Sequence, residues 1–181
     1  MSHSFHLAVA KQIDRLRAGR GKLFQDPACD GKQHLHLPLF VGDVKERKTH
    51  MCDVDMLIVS EGLVRIIVEI EESGFIPTKI CGKFLQSIFA THFIQDSRPD
   101  HVFPYSKRVL FIQVLDGSKF NKTGTSKYLQ ARLIEEKIRD MLHMLPIKGS
   151  TITDYHLVII GDDNNPDGLE AVGASMSAAL A

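Results

Sequence analysis

The segment CDVDMLIVSEGLVRIIVEIEES, Cys52 to Ser73, holds two apolar runs separated by Glu61-Gly62 and bounded by acidic residues. Met56 to Val59 reads as one strand, Glu61-Gly62 as a turn, and Leu63 to Glu71 as a second, longer strand. Antiparallel pairing across that turn sets the start of the first strand beside the end of the second. Side chains alternate along a strand, so Glu69 and Glu71 share one face while Val68 and Ile70 share the other. Asp55, Glu69 and Glu71 are therefore expected at one end of a hairpin. Clustered carboxylates repel one another unless a cation lies among them, which points to a Mg²⁺ or Mn²⁺ site. The main-chain carbonyl of Ile70, between the two glutamates, is a natural extra ligand. Asp53 shares a face with Asp55 but precedes the strand, where a capping or solvated role fits it better.

Outward from the hairpin, Phe5, Leu7, Val9, Ile13 and Leu16 form an imperfect helical stripe from Phe5 to Arg17. Gly19 and Gly21 end it in a basic loop, RAGRGK. Gln33 to Val41 alternates as a strand. Pro77 opens a helix expected from Thr78 to Ile94, with Ile80, Cys81, Phe84, Leu85, Ile88 and Phe89 on its buried side. Arg98 to Ser106 reads as a polar loop and Val109 to Leu115 (VLFIQVL) as a strand buried on both faces. A helix from Ser126 to Leu145 carries Leu129, Leu133, Ile134, Ile138 and Leu142 at helical spacing, and Pro146 stops it. His156 to Ile160 is a further buried strand, and the tail GASMSAALA is a weak terminal helix or frayed. The order α-β-β-β-α-β-α-β implies an α/β fold, a mixed central sheet with helices on both faces.

The chain of 181 residues suits a single domain, 1–181, with a core over about 5–160 and a small-residue tail over 161–181. Twenty-two basic and 22 acidic residues cancel, so no global field draws the chain to nucleic acid, although basic residues can still gather locally. No apolar stretch is long enough to span a bilayer, and the N-terminus lacks the apolar block of a signal peptide. Three cysteines make no disulfide framework. The expected setting is reducing and cytoplasmic, with no membrane partner. Cys29, His34, His36, His50 and Cys52 match no established zinc spacing. Scattered histidines on a half-exposed strand are the simpler account.

The element order and the acidic hairpin together resemble the restriction-endonuclease-like PD-(D/E)xK superfamily. Its core is a helix, three antiparallel strands, a helix and a further strand. Its motif is an Asp entering the second core strand, then Glu/Asp-x-Lys ending the third. Asp55 matches the first position and Glu69, fourteen positions on, the second, while Glu71 stands where lysine is usual. Val54 replaces the usual proline before the aspartate. Some restriction enzymes of the superfamily carry Glu-x-Glu, so the departure does not by itself remove activity.

The resemblance implies Mg²⁺-dependent hydrolysis of DNA phosphodiesters by a restriction-type endonuclease. Asp55 and Glu69 would bind the metal, and Glu71 would bind a second ion or position water. In this superfamily the helix after the motif borders the site and can supply a lysine. Lys79 and Lys83 stand one turn apart there, and Lys79, nearer Glu71, is the expected catalytic lysine. Arg17, Arg20 and Lys22, with Lys83, are the expected phosphate contacts. Cutting both strands takes two sites, so a homodimer is expected. The missing lysine and neutral charge favour an alternative, a catalytically inactive nucleic-acid-binding or interaction module of the same fold. A metal hydrolase acting on another substrate is a third possibility.

Overall fold

Glu61 and Gly62 both adopt positive φ, 54° and 76°. That is the two-residue turn whose twist matches the strands it joins. The computed structural model of the chain describes residues 4–30, 36–72, 75–120, 126–144, 151–161 and 168–181. In chain order the elements begin with α1 (Ser4–Arg17), β1 (Lys22–Gln25), a short α2 (Pro27–Asp30), β2 (Pro38–Phe40) and β3 (His50–Asp53). The hairpin follows as β4 (Met56–Ser60) and β5 (Leu63–Glu71), then α3 (Pro77–Phe89), β6 (His92–Ile94) and β7 (Val102–Asp116). The chain closes with α4 (Lys127–Met144), β8 (Ile152–Ile160) and α5 (Gly173–Ala179).

The strands form one mixed α/β sheet. β1, β4 and β5 are antiparallel neighbours, and β5, β7 and β8 run parallel. The first residues of β7 pair instead with β6, which leads on to β2 and β3. Leu57, Ile67, Phe111 and Leu157 face α3 and α4, packing against Ile80, Phe84 and Ile138. Met56, Ile58, Ile66, Val68 and Ile112 face α1 and α5, packing against Val9, Ile13 and Met176. Both faces are therefore dry, as the unbroken apolar runs of β4 and β7 require.

Several boundaries differ from the sequence expectation. The antiparallel neighbour of β4 is Lys22–Gln25, which starts at the last residue of the expected basic loop, and β2 pairs with β3 and β6 instead. Residues 33–35 of the expected Gln33–Val41 strand lie outside the described residues. Helix α3 stops at Phe89, where Ala90 turns to extended backbone, so His92–Ile94 is a strand rather than the helix end. Leu85 and Phe89 on α3, and Leu129 and Leu133 on α4, are exposed rather than buried. β7 begins at Val102, inside the expected loop, because Pro104 lies in the stretch that pairs with β6. The core also extends past residue 160. Leu169, Val172, Met176 and Leu180 are buried, so the C-terminal helix is packed rather than frayed. Among the described residues no helix is long and apolar enough to cross a membrane.

Candidate active site

Met56 pairs with Val68 in the hairpin, so Asp55 is one residue beyond the last rung and comes up against Glu69. The Asp55 carboxylate takes over where the ladder stops, its Oδ2 accepting a 2.6 Å hydrogen bond from the Ile70 N–H. The Asp55 carbonyl accepts from the Asp26 N–H at 2.9 Å, tying the site to the start of α2. Glu69 points to the α3 side of the sheet and is 3 % exposed. From the second turn of α3, Lys83 reaches down to it. Its Nζ lies 3.2 Å from Glu69 Oε1 and donates to the Asp53 carbonyl at 2.9 Å. The Glu69 contact is off the line of a hydrogen bond, so Oε1 is buried without a hydrogen-bond partner among the described residues.

The charges are unevenly matched. Burial pushes the Asp55 carboxyl above its usual range, opposed by the Ile70 N–H, while nearby Asp26 pushes it further. Burial, followed by the Asp55 charge, drives Glu69 well above the usual carboxylate range despite Lys83. For Lys83, burial acts to lower the pKa, but attraction to Glu69 and Asp55 outweighs it and the net shift is upward. Lys83 is thus a fixed ammonium. Behind it, burial pushes the Cys52 thiol up to about 11, so it stays protonated beside Ser87.

Glu71 goes elsewhere. It sits two residues, about 7 Å, along β5 from Glu69, and Lys79 Nζ lies 3.6 Å from its Oε2. The structure thus forms two pairs, Glu69 with Lys83 and Glu71 with Lys79, and Asp55 belongs with the first. Of the two lysines of α3, Lys83 rather than Lys79 lies beside the Asp55–Glu69 pair. The expected convergence of three carboxylates is not what the geometry gives: among the described residues no three His, Cys, Asp or Glu side chains are arranged to hold a metal. What remains is a set of hard oxygen donors, the Asp55 and Glu69 carboxylates with Ile70 between Glu69 and Glu71. Mg²⁺ is commonly held by one or two carboxylates with waters completing its shell.

No family model, curated protein or solved structure matches this chain.

Of the expected phosphate contacts, only Lys83 is at this site. Lys22 pairs with Val59 at the turn end of the hairpin and covers the Phe24 ring at 4.5 Å. Arg17 binds Asp14 and the Gly21 carbonyl, and Arg20 binds Ser177 on α5 at 2.7 Å. Arg17 and Arg20 tie the end of α1 to its neighbours and Lys22 packs on β1, so the three are not beside Asp55. The histidines and cysteines do not gather: Cys29 and Cys52 lie in core halves on opposite sides of the sheet, and His34 is outside the described residues.

Two features escaped the sequence reading. Gln113 lies on β7 directly across from Glu69, buried, with its Oε1 accepting from the Tyr155 hydroxyl at 2.9 Å. Its signal was present, as the one polar residue inside VLFIQVL. His6, buried on α1, lies 3.1 Å from Glu72 through Nδ1 and near enough to Asp55 to favour its ionised form. Nothing in the periodicity of α1 marked it.

Proposed function

We propose that the chain is a Mg²⁺-dependent phosphodiesterase acting on DNA, of restriction-endonuclease-like fold. The observation that carries this reading is the Asp55–Glu69 pair, two buried carboxylates whose charge Lys83 only half offsets. A structural ion pair would need one acid per base. Two acids held together by an Ile70 N–H and a strand register share one base, and burial pushes both pKa values up; a divalent cation between them would let both ionise. The chain order of α1, the antiparallel β1, β4 and β5, then α3 and β7 also agrees with the superfamily core, with β2 and β3 as an insertion.

In this reading Asp55 and Glu69 hold the metal, and Ile70 orients Asp55 through its N–H. A bound Mg²⁺ supplies positive charge to the scissile phosphate and the leaving 3′ oxygen. Lys83 replaces the lysine that Glu71 displaces from the motif. Because it stays charged, it acts as a donor that orients the attacking water and offsets phosphate charge, not as the base. Lys79 holds Glu71 at the rim. Cleavage of both strands takes two such sites, so a homodimer is the proposed working form.

The test is conversion of supercoiled plasmid to nicked and linear forms with Mg²⁺ or Mn²⁺. Cleavage is expected in wild type and lost in Asp55→Asn and Glu69→Gln. A second reading, an inactive binding module, is favoured by the Lys83–Glu69 contact itself, since the ammonium stands where a cation is wanted. Salt-sensitive DNA binding with no cleavage under either metal would select it.

A further inference from the structure

A second cleft lies at the other end of β5, where Arg65 is four residues, about 13 Å, from Glu69. Three register shifts meet there. Ile58 pairs with Ile66 and Val59 with Val64, leaving Arg65 as an extra residue on β5. Val109 pairs with Ile152 and Leu110 with Asp154, leaving Thr153 extra on β8. β7 skips from Tyr105 to Leu110 against β5 over the same stretch. The consequence is visible in the core: Val64 packs on the α3 side and Ile66 on the α1 side, although two residues apart would ordinarily share a face. Bulges of this kind redirect side chains and are common beside binding sites.

Arg65, Arg108, Arg139, His143, Thr153 and Asp154 line this cleft of about 600 Å³, together with small or apolar side chains from β7 and α5. The cations come from three elements, β5, β7 and α4, so no single helix or strand explains their meeting. Asp154 is held mainly by its own strand, with the Arg139 charge a minor influence on it. It lies 3.5 Å from His156 and accepts from the Tyr155 N–H at 2.8 Å. Arg65 pairs with Glu61 at 3.0 Å, but Glu61 is exposed and such surface pairs are weak. Arg108 and Arg139 make no ion pair among the described residues. In a chain of zero net charge, this is a local excess of guanidinium in a concave, built setting.

From this convergence we infer that the cleft binds a phosphate-bearing small molecule. Guanidinium forks match phosphate oxygens two at a time, and three approaching from different strands and a helix surround a tetrahedral dianion better than a planar carboxylate. The volume lies within the range of small-ligand pockets. The site is separate from the acidic pair and does not depend on the proposed nuclease activity.

Calorimetry on the full chain in phosphate-free buffer tests it, with pyrophosphate and ADP as probes. Binding by either is expected, weakening as salt is added and falling about tenfold in each of Arg108→Gln and Arg139→Gln. The pyrophosphate arm reports an inorganic ligand and the ADP arm a nucleotide. Both arginines are exposed and make no ion pair among the described residues, so unchanged melting temperatures will show that the variants fold. Absence of binding by both probes up to about 1 mM, or wild-type affinity in both variants, overturns the inference. So does a third result: no binding of either probe, with affinity for a short DNA duplex falling in the same two variants. That would make the cleft a nucleic-acid contact instead.

Discussion

The Asp55 carboxylate is fixed by the Ile70 N–H at 2.6 Å, a bond between a loop residue and the strand that carries Glu69 and Glu71. It holds Asp55 against Glu69 although the two repel. Burial opposes the ionised form of Asp55, the Ile70 hydrogen bond favours it, Asp26 adds to the opposition, and the opposition prevails.

That balance fixes a pH dependence. Glu69 has a folded pKa above its unfolded value of about 4.3. Between those two values the folded state holds more protons than the unfolded state, so stability falls as pH rises. The contribution is full below the unfolded pKa and is lost as pH rises through the folded one. Glu69→Gln removes this slope. Without metal, its melting temperature should exceed that of wild type at pH 7.5 by about 2–4 °C, equivalent to about 1 kcal/mol, with the advantage gone at pH 4. A variant less stable than wild type at pH 7.5 would show that the Lys83 contact outweighs the repulsion.

The two lysines of α3 should separate. Lys83→Ala leaves buried Glu69 without its cation and, under the nuclease reading, should slow plasmid cleavage about 10²-fold or more. Lys79 is half-exposed and 3.6 Å from Glu71 rather than beside Glu69, so Lys79→Ala should change cleavage less than about tenfold. Equal losses in single-turnover assays would restore Lys79 to the chemistry.

Glu71→Lys places a second ammonium beside Lys79, whose Nζ is 3.6 Å from the Glu71 carboxylate. If Glu71 contributes to the metal, Mn²⁺ affinity measured by calorimetry should fall about tenfold or more. Equal or tighter Mn²⁺ binding would remove Glu71 from the ligand set and favour the inactive module.

Gly21 is where α1 hands over to β1. Its φ is +68°, and a Cβ there would stand 2.9 Å from both Ile58 Cγ2 and the Val59 carbonyl oxygen. Gly21→Ala should cost about 2–4 kcal/mol. Gly19→Ala, with φ +75° and nothing within 4 Å, should cost only about 1–2 kcal/mol. Urea unfolding of the two variants compares them, and equal midpoints would contradict this placement of β1.

The hairpin was legible because a glycine turn, two apolar runs and period-2 acids all gave one register. β1 was not, because four residues after two glycines carry too little pattern, and Lys22 pairs in the sheet while its ammonium rests on Phe24. β6 was hidden because His92–Ile94 continues an apolar run with no glycine or proline to break it. Lys79 and Lys83 share a helix face in sequence. Which one meets Glu69 depends on how far along β5 the helix docks, and spacing along the chain carries no such distance.

Because β7 alone belongs to both ladders, pairing with β6 at one end and lying between β5 and β8 at the other, neither ladder can open without disturbing it. Amide protons of Leu110 to Val114 should therefore exchange with solvent only through whole-molecule unfolding, and those of β1 much sooner. The carboxylates of β5 thus sit on the part of the molecule that breathes least, and a site built there keeps its shape whether or not a ligand is present.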